Sequence, residues 1–244
     1  MPQARITKQE LEEMPVAAYT GSYIVVSDEA QATAAVEALR SSGCILGFDT
    51  ETRPSFQKGV SYRVALVQLS AGHTCFLFRL HRMQGLSAPL KALLEDPAIL
   101  KVGLSTHDDF SGLRKWDNAL RPQGFIDVQH IVRHCGIEEM SLSKIYALLF
   151  RRKLSKRQRL TNWEAETLTD KQMAYASLDA VACVEIYDEV QRLVALQPAP
   201  TSRRRRRRPS DGPLAPGCNS SADDAVAVNA PVGNASADAW NVAK

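Results

Sequence analysis

The stretch CILGFDTET, residues 44–52, takes an apolar run directly into two carboxylates. Because side chains at i and i+2 of an extended strand point to one face, Asp49 and Glu51 would lie together where the strand leaves the core. Two carboxylates held this close repel each other unless a proton or a cation lies between them. Oxygen ligands suit hard divalent ions such as Mg²⁺ and Mn²⁺. The motif therefore predicts part of a metal site, and a strand end with two solvated acids is the alternative.

The composition is that of a globular protein. The chain has 244 residues, of which 45% are hydrophobic, enough to form a sizeable core. No stretch reaches the roughly eighteen uninterrupted apolar residues of a membrane span, and residues 1–14 lack the apolar block of a secretory signal. Five scattered cysteines with no CxxC spacing are typical of reduced thiols. We expect an intracellular, cytoplasmic protein with no membrane partner.

The net positive charge is concentrated at the carboxyl-terminal end. The formal net charge is +3, and residues 198–244 carry all of it, because they contain seven basic and four acidic residues. Six of the basic residues are consecutive arginines at 203–208. From residue 197 the apolar periodicity ends, which predicts a disordered tail. The arginine run could bind phosphates, direct a eukaryotic protein to the nucleus, or be an incidental basic linker.

Apolar periodicity predicts an α/β fold with a mixed sheet. Strands are expected at residues 19–27, 44–49, 63–69, 74–78, 99–104 and 125–126. Helices are expected at residues 29–40, 86–94, 106–116, 128–135, 141–150 and 169–196, with Ser141 as the cap of the fifth. Three strands follow one another before helices and strands alternate. This order predicts an antiparallel hairpin joined to later parallel strands, with helices flanking the sheet.

Further acids lie in two other segments. Tyr175 and Asp179 stand at i and i+4 of the longest predicted helix, so they share one face. Such a pair is usually a surface hydrogen bond, but the neighbouring residues are small or apolar, and an acid among them requires a partner. Asp108 and Asp109 stand where a strand runs into a helix, a position that the helix dipole favours. The spacing to Leu113 favours Asp109 as the residue at the core edge, and Asp108 stays open as the alternative.

Taken together, these motifs resemble a known family. FDTET at 48–52, KVGLSTHDDFSGL at 101–113 and QMAYASLDA at 172–180 are similar in order and spacing to the three motifs of the DnaQ-like (DEDD) superfamily of 3′-5′ exonucleases. LSKRQRLTNWEAETLT at 154–169 reinforces the likeness. The chain resembles the tyrosine-bearing branch, which includes ribonuclease D and the Werner-type exonuclease domain. The resemblance covers roughly residues 20–195 and implies a ribonuclease H-like fold.

The resemblance also implies a role for each site residue. Asp49 and Asp179 would be direct metal ligands, and Glu51 would bind a metal and orient the attacking water. Asp109 would help to hold a second metal, and Tyr175 would position the nucleophile. The implied cofactors are two divalent cations, Mg²⁺ or Mn²⁺, and the implied substrate is the 3′ end of DNA or RNA.

The resulting prediction is a metal-dependent 3′-5′ exonuclease with a two-metal mechanism. Residues 1–18 would be a lead segment, residues 19–196 the exonuclease domain and residues 197–244 the tail. One alternative is a nucleic-acid-binding module with weak turnover on the same fold. Another is a structural interaction domain whose acids hold no metal.

Substrate contacts are predicted in the basic segment 151–159, which has six cations in nine residues. The candidates for phosphate contacts are Lys153, Lys156, Arg157 and Arg159. A solvated basic loop is the alternative. Trp163 could stack on a base or be a packing anchor. Phe56 could contact a terminal base or cover the core.

Histidines offer a weaker metal hypothesis. His130 and His134 have the i, i+4 spacing of a zinc pair, but the sequence shows no second pair of ligands. Two helix-surface histidines are therefore the default interpretation. His107 precedes the acidic pair and could cap a helix.

Overall fold

A six-stranded mixed sheet forms the centre of the fold in this computed structural model, which describes residues 2–196. The strands are β1 (Ser22–Val26), β2 (Leu46–Thr52), β3 (Val64–Ala71), β4 (Thr74–Arg79), β5 (Lys101–Gly103) and β6 (Phe125–Asp127). Their order in the sheet is β1-β4-β3-β2-β5-β6. Strands β2, β3 and β4 are antiparallel neighbours, whereas β1 pairs parallel with β4 and β5 pairs parallel with both β2 and β6. The predicted mixed sheet with an antiparallel hairpin is confirmed.

Helices flank this sheet. They are α1 (Lys8–Glu13), α2 (Glu29–Ser41), α3 (Ala88–Leu94), α4 (Thr106–Leu113), α5 (Val128–Ile131), α6 (Leu142–Phe150) and α7 (Asp170–Ala195). A short 3₁₀ helix, Val132–Cys135, continues α5. No helix in the described part of the chain combines the length and apolarity that a membrane span requires. The predicted tail with its arginine run lies outside the described residues.

Alternation along β2 divides its side chains between two layers. Phe48 is fully buried in the core cluster that α2 and α3 cover, together with Phe78 of β4. Asp49 and Glu51, one residue to either side of Thr50, turn toward the long helix α7. Burying a side chain such as Phe48 contributes roughly 1.5–3 kcal/mol, so the register of β2 is fixed by its apolar face. The acidic face is consequently held in one position.

Helix α7 lies very close to β2. A Cβ atom at Gly47 would overlap the main-chain carbonyl of Ala180 on α7 and the hydroxyl of Ser70 on β3. Glycine at this position therefore lets the helix backbone approach the strand. The neighbour of Ala180 in the chain is Asp179, so this close approach brings the helical acid to the acids of β2.

The segment before β1 also packs on the domain. Ile6, Met14 and Ala17 are buried in the core cluster shared with α6 and α7. The Ala17 amide donates to the Lys153 carbonyl at 2.9 Å, and the Lys153 amide donates to the Pro15 carbonyl at 2.9 Å. The sequence-based boundary left this segment outside the domain, but its apolar side chains contribute to the core.

Three local features differ from prediction. The predicted helix at 128–135 changes from α to 3₁₀ geometry before it ends at Gly136, whose φ of +76° is a left-handed conformation that glycine adopts without strain. Ser141 occupies the N-cap position of α6 but its side chain makes no capping hydrogen bond. Helix α1 was not predicted, because none of its residues is buried and it has no apolar stripe.

Candidate active site

Asp49 and Glu51 of β2 and Asp179 of α7 come together at one edge of the sheet. Each of the three offers a carboxylate oxygen, and these oxygens all lie within 4.8 Å of one another. Hard divalent cations hold oxygen ligands at about 2.0–2.6 Å, so three oxygens this close can share an ion. The donor set and its geometry therefore fit a divalent cation.

Asp109 lies beside this group, in the first turn of α4. Its carboxylate accepts a hydrogen bond from the Thr50 hydroxyl, and Thr50 stands between the two acids of β2. Asp108, in contrast, has a side chain that is 91% exposed and lies 3.6 Å from His107. The structure thus brings Asp109, and not Asp108, toward the other acids, although Asp109 is not one of the three that lie within 4.8 Å of one another.

The chain reaches α4 through an unusual backbone conformation at Ser105. This residue has φ +55° and ψ +36°, the left-handed region that non-glycine residues rarely adopt. Such conformations cost of order 1–3 kcal/mol and cluster at functional sites. Here the sharp bend between β5 and α4 sets the direction of the first helical turn, which carries Asp109.

Burial and mutual repulsion raise the pKa values of the acids. Burial is the main cause for Asp49, followed by the charge of Asp179. Burial also raises the pKa of Glu51, with further contributions from Asp49, Asp179 and Asp109. The pKa of Asp109 is raised by burial and then by Asp49. Because each ionised carboxylate disfavours the next, full ionisation of the cluster requires a counter-charge, which a divalent cation supplies.

Tyr175 lies one helical turn before Asp179. Burial raises the pKa of its phenol, and the charges of Asp179 and Glu51 raise it further. The hydroxyl therefore stays protonated at neutral pH and donates a hydrogen bond to Asp179. This hydrogen bond lowers the pKa of Asp179 and so partly offsets the increase caused by burial. A protonated phenol here can orient a water molecule or a phosphate oxygen, but it is a poor base.

Trp163 is a packing anchor, so the prediction that it stacks on a base is wrong. Its side chain is only 1% exposed and packs with Leu66 and Ala176 in the layer between the sheet and α7. The Tyr175 ring lies 6.1 Å from it between centroids. Phe56, in contrast, is 84% exposed and does not cover the core.

Two cations of the basic segment act on the acid cluster. Burial raises the pKa of Asp179, and the charge of Lys156 opposes that effect. Arg159 likewise opposes the effect of burial on the Glu51 pKa. Lys153 is engaged elsewhere, because its Nζ donates to the Glu12 carbonyl at 2.5 Å. The charges of Lys156 and Arg159 therefore act on the site acids, whereas Lys153 holds the amino-terminal segment.

The loop that carries these cations is fixed by contacts that sequence reasoning missed. The Arg79 guanidinium at the end of β4 donates to the carbonyls of Ala165 and, at 2.7 Å, Glu166. The Gln172 amide on α7 donates to Thr161 at 3.0 Å and to the Asn162 carbonyl at 3.2 Å. The only sequence feature that points to a role for Arg79 is its position as a charged residue at the end of a buried strand. These bonds hold the loop against the sheet.

The zinc hypothesis gains no support from the structure. Within residues 2–196, His130 and His134 belong to no group of three or more metal-ligating side chains. Both are exposed.

A mixed sheet with acids from β2, α4 and α7 gathered beside a helical tyrosine defines a 3′-5′ exonuclease domain. The chain belongs to the 3′-5′ exonuclease family, because residues 23–195 match the model of a family described by that name. This match covers all six strands except the first residue of β1, and it contains the complete acid cluster.

Curated relatives are named as 3′-5′ exonucleases or as proteins with a 3′-5′ exonuclease domain. The chain is 36% identical over 166 residues to the exonuclease 3′-5′ domain-containing protein 2 of Drosophila melanogaster, a match that covers 66% of this chain and 27% of the relative. It is 32% identical over 160 residues to the bifunctional 3′-5′ exonuclease/ATP-dependent helicase WRN of Mus musculus, covering 63% of this chain and 11% of the relative. The chain thus spans a minor part of these two relatives.

Solved structures share the fold. The Nibbler EXO domain of Aedes aegypti superimposes with a TM-score of 0.63 at 22% identity, covering 75% of this chain and 93% of that one. Escherichia coli RNase D gives a TM-score of 0.61 at 24% identity, covering 71% of this chain and 45% of that one. The predicted ribonuclease H-like fold is confirmed.

Proposed function

We propose that the protein is a metal-dependent 3′-5′ exonuclease that hydrolyses the terminal phosphodiester bond at the 3′ end of a nucleic acid. One observation carries the proposal: carboxylate oxygens of Asp49, Glu51 and Asp179 lie within 4.8 Å of one another on a family-matched domain. Burying several acids together is costly without a cation, so a purely structural role gives no physical reason for the arrangement. Membership of the exonuclease family supports the reaction class.

We assign the acids to two divalent cations, Mg²⁺ or Mn²⁺. Asp49, Glu51 and Asp179 would hold the first ion, and Asp49 with Asp109 would hold the second. When bound, such ions supply the Lewis acidity that activates an attacking water and neutralises charge on the leaving 3′ oxygen. Thr50 fixes one oxygen of Asp109 through its hydroxyl, so the carboxylate is oriented before an ion arrives.

Other side chains would orient the reactants. The Tyr175 hydroxyl acts as a hydrogen-bond donor and cannot act as a base at neutral pH, because burial and the nearby carboxylates raise its pKa. We therefore assign it to hold the attacking water or a phosphate oxygen in line with the scissile bond. Lys156 and Arg159, whose charges reach Asp179 and Glu51, would bind the phosphate.

The test is degradation of single-stranded DNA and RNA oligonucleotides, each labelled at the 5′ end, in Mg²⁺, in Mn²⁺ or in chelator. We expect a ladder that shortens from the 3′ end only when a cation is present. A second set labelled at the 3′ end should release a labelled mononucleotide first. Cleavage that persists in chelator, or that releases the 5′ label first, would overturn the proposal. Comparing DNA with RNA also determines which polymer is preferred.

A further inference from the structure

We infer that the groove between the β2–β3 loop and helix α4 binds the phosphate backbone of the substrate strand, on the 5′ side of the bond that is cut. This inference rests on the proposed exonuclease function and adds a second binding surface to the basic segment 151–159. We call it the α4 groove. Its lining includes Arg53, Ser55, Ser61, Tyr62, Ser111 and Lys115.

The α4 groove is lined by residues next in sequence to two of the site acids. Its volume is about 430 Å³, which is within the size range of small-ligand pockets. Thr52 follows Glu51 directly and Asp108 precedes Asp109, so two of the lining residues are direct chain neighbours of site acids. Lys115 follows the last turn of α4, an eight-residue helix of about 12 Å, and marks the other end. Since neighbouring Cα atoms are about 3.8 Å apart, a strand whose 3′ end reaches the acids passes close to the end of the groove that Thr52 and Asp108 line.

Arg53 is held in place on one wall. Its guanidinium lies over the Tyr62 ring at 4.7 Å from the centroid, and its Nη1 donates to Glu164 Oε2 at 3.2 Å. The register of β2 and β3 also shifts at Glu51 and Thr52, a β-bulge that redirects the residues after it. The Arg53 side chain remains 42% exposed, so its further N–H donors are available to an anion.

The opposite wall is equally fixed. Trp116, next to Lys115, donates its indole N–H to the Val64 carbonyl at 2.8 Å. Arg63 lies over the Trp116 ring at 4.7 Å from the centroid. These contacts join the end of α4 to the start of β3. Of the two groove cations, Arg53 is positioned in the free protein, which lowers the entropic cost of binding a phosphate beside it.

The charges of the groove favour binding of a phosphate backbone over binding of a base. Arg53 and Lys115 are cationic, and Ser61 offers a hydroxyl donor, whereas the Ser55 and Ser111 hydroxyls donate to the carbonyls of Gln57 and His107. Arg53 covers the one aromatic ring of the lining, Tyr62, so that face is closed to base stacking. Asp108 is the one acidic residue of this lining, so cations outnumber acids in the groove. We therefore expect contacts with phosphate and sugar, which carry no sequence preference.

The experiment compares Arg53→Gln, Lys115→Gln and the double variant with Lys58→Gln, the matched control. Lys58 is an exposed cation of the same β2–β3 loop that does not line the groove. Two readouts are needed. The first is degradation of a 5′-labelled twelve-nucleotide strand and of a dinucleotide in Mn²⁺. The second is fluorescence anisotropy of the labelled strand with Ca²⁺, which takes the same oxygen ligands.

We expect each groove substitution to raise the KM of the long strand and its Kd about tenfold, with kcat little changed. Each should also reduce the salt slope of binding by about 0.7. Cleavage of the dinucleotide, which is too short to enter the groove, should be unaffected. Folding should be intact, because both cations are at the surface.

Results that contradict the inference are clear. If the double variant binds the long strand as the wild type does, or if Lys58→Gln causes an equal loss, the groove is not the binding surface. Loss of dinucleotide cleavage in the groove variants would also overturn it, since the residues would then act in the chemical step. If the wild type binds the long strand but cleaves neither substrate, only the proposed exonuclease function is overturned. The anisotropy measurements still test the groove in that case.

Discussion

Asp49 of β2 and Asp179 of α7 are separated by 130 positions in the sequence, yet they offer carboxylate oxygens within 4.8 Å of each other. The close approach of Ala180 to Gly47 produces this contact, because it presses α7 against the strand. The metal site therefore depends on helix–sheet packing as well as on its ligands. A side chain at position 47 would displace α7 and separate the two acids.

The acidic pair of α4 allows a direct test of which residue is a ligand. We expect Asp109→Asn to lower kcat about a hundredfold, because its carboxylate is oriented toward the site by Thr50. Asp108→Asn, whose side chain is 91% exposed, should change kcat less than about twofold. Steady-state rates of the two variants in Mn²⁺ make the comparison. The reverse order of effects would assign the site to Asp108.

Tyr175→Phe keeps the ring but removes the hydroxyl. We expect kcat to fall about a hundredfold while metal affinity and unfolding temperature change little, because the phenol orients reactants and binds no ion. Rates above pH 9 provide a second measurement. The raised pKa predicts no additional increase in wild-type rate from phenol ionisation in that range. A Tyr175→Phe enzyme with the wild-type rate would exclude the orienting role.

Metal binding should stabilise the fold more at high pH than at low pH. Burial and the charge of Asp179 raise the pKa of Asp49 to about 8, so the cation-free folded state binds protons more tightly than the unfolded chain. The resulting stabilisation is complete below the unfolded pKa, about 4, and is lost as the pH rises through 8.

A cation competes with these protons for the same oxygens. We expect the unfolding temperature in chelator to fall between pH 5 and pH 8, and the increase caused by Mn²⁺ to grow over the same range. Thermal unfolding with and without Mn²⁺ measures both. An Mn²⁺ effect that is independent of pH would show that the buried acids are not the binding groups.

Two buried glutamines should respond in opposite ways to the same substitution. Gln68 of β3 is fully buried, and neither its amide nitrogen nor its oxygen has a hydrogen-bond partner among the described residues. Gln68→Met removes that unpaired group at similar volume, so we expect stability to rise by about 1 kcal/mol. Gln172 is also buried but bonds Thr161 and Asn162. Gln172→Met should destabilise the protein by about 1–2 kcal/mol.

Urea unfolding of both variants provides the measurement. Equal destabilisation by the two substitutions would show that Gln68 has hydrogen-bond partners in solution.

The local sequence predicts those parts of the fold that depend on neighbouring residues. The alternation in β2 places Asp49 and Glu51 on one face, and the apolar runs on either side of Gly72 form a hairpin. Helix α7 is also predictable, because its apolar positions recur with helical spacing. Each of these features follows from a pattern within one segment.

Features that depend on distant contacts could not be predicted in this way. The parallel pairing of β1 with β4 joins segments about fifty residues apart, and no local pattern specifies it. Trp163 stands between the polar residues Asn162 and Glu164, so the local sequence left open whether its ring packs in the core or stacks on a base. The contact between Arg53 and Glu164, which fixes one wall of the α4 groove, links two loops that only the folded chain brings together.

We assign cation-dependent hydrolysis from the 3′ end to the acid cluster. The most direct measurement compares wild type with Asp49→Asn on a 5′-labelled single strand in Mn²⁺, with Asp108→Asn purified in parallel as the control. We predict a 3′-shortened ladder from the wild type and Asp108→Asn, and an intact strand with Asp49→Asn. Equal ladders from all three proteins would contradict the account.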